Sequence, residues 1–358
     1  MENNISYTLL NIDQREAIAA YLHERGWLEP GETISQLGRA GEGNMNLTLR
    51  VDTGQRSFIV KQSRPWVEKY PTIPAPEDRV LTEATFYQAV SHCGEIAERM
   101  PRLLGRDQEN RVALFEDLGA TADFTRIYDD GCDGLEPLPE LCRWLAALHG
   151  AAFDATVRQR LENRAMRELN HEHLYCFPLQ PDNGLDLDAF TPGLAAAAAP
   201  LIADDAFRAA IGALGTCYLD NGPCLLHGDF YPGSWVSSVD DVWVIDPEFC
   251  FFGPAEFDVG ILVGHLLLAG RPMALAEAVF AHYRPPAGFD RALALRFAGM
   301  EIMRRLIGVA QLPLSADLAR KEALLQLVRT LSTRARGLWW LSAGIFAGAG
   351  GRDALPRY

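Results

Sequence analysis

Apolar and polar positions change their period along this chain. In the first third, short alternating or β-branched runs at 34–37, 47–51, 57–62 and 111–115 predict strands. Two stretches there carry helical spacing instead, 13–24 and, after a segment holding Pro71, Pro74 and Pro76, 77–90. Beyond residue 118 the helical period dominates, at 138–149, 194–214, 259–268, 292–312 and 318–341. A single β island interrupts it, with short runs at 224–226, 235–236 and 242–245 that include one hairpin. A strand-rich front, a short junction and a helical back predict an α+β chain in two lobes, 1–118 and 119–358. A cleft between them is the expected ligand site.

Composition narrows the function. Of 358 residues, 48% are hydrophobic and 22% charged, enough apolar material for a sizeable core. The formal net charge of -14 and the lack of any Lys/Arg run argue against a nucleic-acid partner. The first residues show no basic start followed by an apolar stretch, so no signal peptide is expected. The longest apolar run, 259–270, is broken by His265 and is too short to span a bilayer. The seven cysteines contain no CxxC pair and read as free thiols of a cytoplasmic protein. No internal repeat is present, and the alanine run 195–199 reads as helix.

The chemistry concentrates in a few segments. His227-Gly228-Asp229 is followed by Ser234, then by a hairpin ending in Asp246-Pro247-Glu248. Phosphoryl transfer needs a carboxylate beside the attacking hydroxyl and further oxygen ligands for magnesium, and this spacing supplies both. Taken alone, His-Gly-Asp is also an ordinary turn in which the aspartate caps backbone amides. Upstream, Gly41-Glu42-Gly43-Asn44-Met45-Asn46 lies between two predicted strands. Gly43, Asn44 and Asn46 there would let backbone amides approach phosphate oxygens, although a plain hairpin turn has the same composition. Lys61 ends the strand Phe58-Ile59-Val60-Lys61, from which it can reach phosphates. Glu83, rather than Glu77 or Asp78, is the expected carboxylate partner on the following helix. Phe115-Glu116-Asp117-Leu118 ends a strand at the lobe junction, where backbone groups of Glu116 and Leu118 can hold adenine. Each segment alone has a bland explanation as turn, surface lysine or strand end. Their order along the chain is that of a kinase.

These residues resemble the aminoglycoside phosphotransferase-like kinases, which share the protein kinase-like fold, and among them the methylthioribose kinases. The resemblance runs through nearly the whole chain. It is carried by Gly43-Asn44-Met45-Asn46, Ile59-Val60-Lys61-Gln62, Asn170-His171-Glu172-His173, His227-Gly228-Asp229 with Gly233-Ser234, Ile245 to Phe249, Phe252 to Pro254, Phe257-Asp258, and Arg304-Arg305 with Gly308. It implies ATP and Mg2+ as cofactors. Asp229 would be the catalytic base, and Asp246 and Glu248 metal ligands, with Ser234 joining directly or through water. Lys61 would contact ATP phosphate, and Asp258 would brace the catalytic loop. Arg304 and Arg305 would face the sugar site, although adjacent helix positions point about 100° apart and need not both reach it. The implied acceptor is a ribose-like sugar, 5-methylthioribose giving its 1-phosphate in methionine salvage. A homodimer is implied as well. The pair Trp339-Trp340 is expected in the core.

Two segments depart from the family. Phe230-Tyr231-Pro232 stands where the family carries a Leu-His-Thr-like stretch, and Tyr70-Pro71 stands in place of a Trp-Pro lid. An antibiotic phosphotransferase, of nucleoside or aminoglycoside type, is the second enzymatic reading. Arg304-Arg305 opposes a polycationic acceptor, and no ammonium cage is evident for a choline or homoserine kinase. A nucleotide-binding pseudoenzyme is the non-enzymatic reading. It would require the loss of a key acid or lysine, whereas Lys61, Asp229, Asp246 and Glu248 are all present.

Overall fold

The computed structural model describes residues 7–41, 45–129, 135–238 and 241–334. Gly43, Asn44 and the Trp339-Trp340 pair lie outside the described residues.

The amino-terminal part is built on an antiparallel five-stranded sheet. Helix α1 (Arg15–Glu24) leads into β1 (Gln36–Arg39), β2 (Leu47–Asp52) and β3 (Ser57–Gln62). A small hairpin, β4 (Trp66–Val67) and β5 (Tyr70–Pro74), precedes α2 (Arg79–Val90) and the short α3 (Gly94–Ala97). β6 (Leu103–Asp107) and β7 (Val112–Glu116) complete the sheet, whose order is β1-β2-β3-β7-β6. Alternation along the strands covers both faces. Phe58, Val60, Val112 and Leu114 pack with Ile18, Tyr21 and Leu22 of α1. Ala113 and Phe115 point the other way, with Phe86 and Tyr87 of α2. Lys61 shares the face of Ile59 and so meets α2 rather than α1. The sequence pattern missed β6, an edge strand in which burial is sparse.

The carboxy-terminal part is mainly helical. It contains β8 (Ala122–Asp123), α4 (Leu138–Gly150), α5 (Ala155–Arg160), α6 (Arg164–His171), α7 (Leu187–Phe190), α8 (Leu194–Ile202) and α9 (Asp205–Leu219). Then come β9 (Cys224–Leu226), β10 (Trp235–Ser238), β11 (Asp241–Val244) and β12 (Phe251–Gly253). Four helices close the described chain: α10 (Glu256–Leu268), α11 (Met273–His282), α12 (Arg291–Ile307) and α13 (Leu318–Arg334). The expected single helix over 194–214 is two. Asp204 accepts the backbone N–H groups of Ala206 and Phe207, and this cap starts a new helix. The expected helix over 292–312 stops at Ile307, before Gly308.

The core of this part is the packing of α10 on α12. Gly260 and Gly264, one turn apart on α10, bring the two backbones together. A Cβ at Gly260 would lie 2.6 Å from the Ala294 carbonyl oxygen, and one at Gly264 3.1 Å from that of Ala298. Among the described residues, no helix is long and apolar enough to cross a membrane.

Candidate active site

The loop after β9 is held by a buried carboxylate from α10. Asp258 accepts the backbone N–H groups of His227 (2.7 Å) and Gly228 (3.0 Å), and His149 Nε2 lies 3.2 Å from it. Gly228 has φ +87°, and a Cβ there would lie 2.1 Å from the Phe249 carbonyl oxygen, so only glycine fits. His227 Nε2 donates to the Ile245 carbonyl at 2.9 Å, tying the loop to the next strand. Ser234 is engaged within the turn: its hydroxyl donates to the Asp229 carbonyl at 3.0 Å, and its own carbonyl accepts Ile245 N–H. These bonds hold Asp246 in the left-handed region, at φ 63° and ψ 47°, a conformation that persists only where its surroundings over-determine it.

Asp229 faces the arginine pair. Arg304 Nη2 lies 3.0 Å and Arg305 Nη2 3.6 Å from Asp229 Oδ1. Both reach because they flank one residue. Glu301 stands three and four positions before them, so its azimuth lies between theirs. The fully buried Glu301 carboxylate takes Arg304 Nε on one oxygen and Arg305 Nε on the other. Burial would raise its pKa, but the two guanidinium charges outweigh that and hold it well below the usual range. The Tyr231 ring lies 5.0 Å from the Arg305 guanidinium carbon.

On the sheet side, Lys61 Nζ at the end of β3 bonds Glu83 at 2.7 Å and also contacts Asp246. Asp78 pairs instead with Arg111. Burial would lower the Lys61 pKa, but the two carboxylates outweigh it and keep the ammonium charged. With one cation between two carboxylates, burial pushes the Glu83 carboxyl up to about 7. Glu248, on the turn after Asp246, is buried and pushed up to about 8 by desolvation. Its Oε2 accepts from Asn46 Nδ2 at 2.6 Å, and Arg79 lies 3.9 Å away. Asn46 Oδ1 is buried without a partner among the described residues.

At the end of β7 the Glu116 N–H is bonded to the Arg102 carbonyl and its side chain pairs with Arg102. Leu118 N–H has no partner among the described residues. Arg50 pins the junction by bonding both Asp117 Oδ1 and the Gly119 carbonyl at 2.8 Å. Tyr70 is exposed on the β4–β5 hairpin.

A family model described as "Phosphotransferase enzyme family" matches residues 37–295, well over half of the chain and including every segment from Lys61 to Asp258. The chain belongs to this phosphotransferase family. A methylthioribose kinase of Bacillus cereus is 24% identical over 350 residues, covering 86% of this chain and 87% of that protein. Two solved structures share the fold at 12% identity. One is a spectinomycin phosphotransferase bound to AMP, with TM-score 0.55 and 90% of this chain and 99% of that one covered. The other is a choline kinase from Streptococcus pneumoniae, with TM-score 0.51 and 89% and 99% covered. The expected kinase-like α+β fold and the family resemblance are thereby borne out. The chain is a kinase-like phosphotransferase of a family that uses ATP with a metal ion.

The donor set of this phosphotransferase suits magnesium. Among the described residues no cluster of three His, Cys, Asp or Glu side chains is preassembled. Magnesium needs none, because it keeps several waters and binds through one or two carboxylates together with substrate phosphates. Asp246, partly exposed, and Glu248, beside the unpartnered Asn46 Oδ1, offer that kind of site.

Sequence reasoning missed Glu301, though a glutamate three and four residues before two arginines is a legible helix pair. It also missed Arg79. This buried α2 residue donates to the carbonyls of Arg64, Pro76, Met45 and Trp66, and so knits the glycine-loop segment to α2. No sequence signal marked it, since its hydrogen bonds all go to backbone carbonyls and the one carboxylate near it, Glu248, is far away in the chain.

The raised carboxyls set a pH trend for the ligand-free protein. Groups that bind protons more tightly folded than unfolded lose stabilising effect as pH rises through the folded pKa. Glu83 and Glu248 therefore lower stability as pH climbs from about 6.5 to 8.5. Below 6.5 the buried His227 and His265, depressed by desolvation, act in the opposite sense. The thermal midpoint should fall by several degrees between pH 6.5 and 8.5, and Glu248→Gln should flatten the fall. A midpoint that rises across this range in the wild type would contradict these assignments.

Proposed function

We propose that this phosphotransferase moves the γ-phosphate of ATP to a hydroxyl of a ribose-like sugar, 5-methylthioribose giving the 1-phosphate. The observation that carries the reading is the convergence of Arg304 and Arg305 on Asp229. Glu301 and Asp229 balance the two guanidinium charges, which leaves a site suited to a neutral or anionic acceptor rather than a polycation. The 24% identity to methylthioribose kinases, spread over most of both chains, supports the choice of sugar.

In this reading Asp229 accepts the proton of the acceptor hydroxyl as its oxygen bonds to the γ-phosphorus. The bond from phosphorus to the β,γ-bridging oxygen breaks, and ADP leaves with that electron pair. Arg304 and Arg305, beside Asp229, offer their Nη groups to the charge that develops on the transferring phosphoryl. Lys61, oriented by Glu83, binds phosphate oxygens. Gly43, Asn44 and Asn46 line the phosphates, and backbone groups of Glu116 and Leu118 receive adenine. Asp246 and Glu248 would hold Mg2+, with Ser234 joining directly or through water. When bound, the metal supplies charge neutralisation for the phosphates. The lobes divide at residue 118.

The altered loop favours one alternative. Tyr231 places an aromatic ring on Arg305 at the acceptor side, which suits a flatter acceptor such as a nucleoside antibiotic. ATP consumption with magnesium should be measured against methylthioribose, 5-deoxyribose, ribose, a nucleoside antibiotic and kanamycin. Rapid turnover of methylthioribose alone is the expected result. Turnover of the antibiotic instead would reassign the acceptor. Nucleotide binding without turnover of any acceptor would make the chain a pseudoenzyme.

A further inference from the structure

Behind the arginine pair runs a chain of buried groups that the proposed chemistry does not use. Tyr128 ends the turn Thr125–Tyr128, His265 lies on α10 and Glu301 on α12. The Tyr128 hydroxyl is 2.6 Å from His265 Nδ1, and His265 Nε2 is 2.8 Å from Glu301 Oε1. His265 and Glu301 are fully buried, and Tyr128 is nearly so. No polar side-chain atom of the three is left unpartnered.

The proton positions follow from the partners. Glu301, ionised between two guanidinium groups, can only accept, so His265 Nε2 carries a proton. Burial lowers the imidazole pKa, so the ring is neutral near pH 7. Its Nδ1 is then a lone pair, and the Tyr128 hydroxyl donates to it. The line has one arrangement, Tyr128 to His265 to Glu301. A half-satisfied version would cost more than an apolar core, and α10 is otherwise largely apolar along its length.

The far end of the line shows what it does. Each Glu301 oxygen takes one arginine at Nε, which leaves Nη2 of each to face Asp229, while Arg305 Nη1 donates to the Ala310 carbonyl. His265 holds one carboxylate oxygen and so stops the carboxylate from rotating. Long arginine side chains otherwise sample many rotamers. The close packing at Gly260 and Gly264 makes the bridge between α10 and α12 short enough.

We propose that Tyr128, His265 and Glu301 are positioning residues that aim Arg304 and Arg305 at the transferring phosphoryl. This rests on the reading that Asp229 and the arginine pair flank the acceptor.

The test compares Tyr128→Phe, Glu301→Gln and their double variant, using the acceptor turned over fastest. Displacing groups at a reacting centre through their supports costs roughly 10- to 100-fold. Glu301→Gln should therefore lower kcat toward the upper end of that range and Tyr128→Phe by less than tenfold, with the KM for ATP unchanged. The double variant should be no worse than Glu301→Gln alone, because the groups act in series. A merely structural role would lower the thermal midpoint and the active fraction, while kcat per active site stayed normal. Wild-type kcat in folded Tyr128→Phe and Glu301→Gln would overturn the proposal, as would losses traced wholly to active fraction. Should Glu301→Gln fail to fold, Tyr128→Phe and the imidazole nitrogen spectrum of the wild type decide. An Nε2–H tautomer at His265 is expected, and an Nδ1–H tautomer or an imidazolium would overturn it. Full activity in Asp229→Asn would sink the underlying reading instead. An inactive Asp229→Asn beside wild-type kcat in both Tyr128→Phe and Glu301→Gln would sink the positioning role alone.

Discussion

Asp229→Asn should lower kcat by about 10³-fold, in the middle of the range for removing a general base, while ATP binding and folding persist. The carboxamide keeps the size of the side chain and still accepts from Arg304, but it cannot take the hydroxyl proton. Folding should survive because the Asp229 side chain is 20% exposed and Glu301 still neutralises the arginines from beneath. Steady-state kinetics with a titrated active-site concentration provide the check. Retention of more than about a tenth of the wild-type kcat would remove Asp229 from the role of base.

Lys61→Met should lower kcat/KM for ATP by about 10²-fold, the scale expected for losing one preorganised charge contact. Its effect on stability should depend on pH. Glu83 is already pushed up to about 7 with the ammonium beside it. Without Lys61 it will hold its proton to higher pH, since a buried carboxyl neutralises rather than stay charged and unpaired. At pH 6 the variant should therefore be only slightly less stable than the wild type. At pH 8.5, where the wild-type pair is ionised, the loss should approach about 3 kcal/mol, the scale for breaking a buried pair. Denaturant titrations at the two pH values would measure this. Equal losses at both would mean that Glu83 is not the group responsible.

Much of the fold was legible because local period encodes which face of an element is buried. The strand Ser57–Gln62 matches its predicted limits, and alternation alone put Lys61 on the face opposite Phe58 and Val60. The break at Asp204 was harder to see, because a single side-chain cap decides it inside a continuous apolar pattern. The pairing of Phe251–Gly253 with Cys224–Leu226 was not visible at all, since three residues carry no period and each strand needs the other.

The same division runs through the site. The sequence by itself determined the order of the parts: glycine loop, strand lysine, helix carboxylate, His-Gly-Asp, and the acids after the hairpin. The family resemblance also marked Asp258 as the brace of the His-Gly-Asp loop. Tertiary structure decided which side chains converge. Lys61 meets Asp246 across 185 residues, and Tyr128 meets His265 across 137. Adjacent arginines, about 100° apart on a helix, reach one carboxylate only because Glu301 lies between their directions. Local periodicity says which face an element buries. Which buried faces meet, and at what distance, is set by close contacts such as Gly260 and Gly264 against α12, and those exist only once the chain has folded.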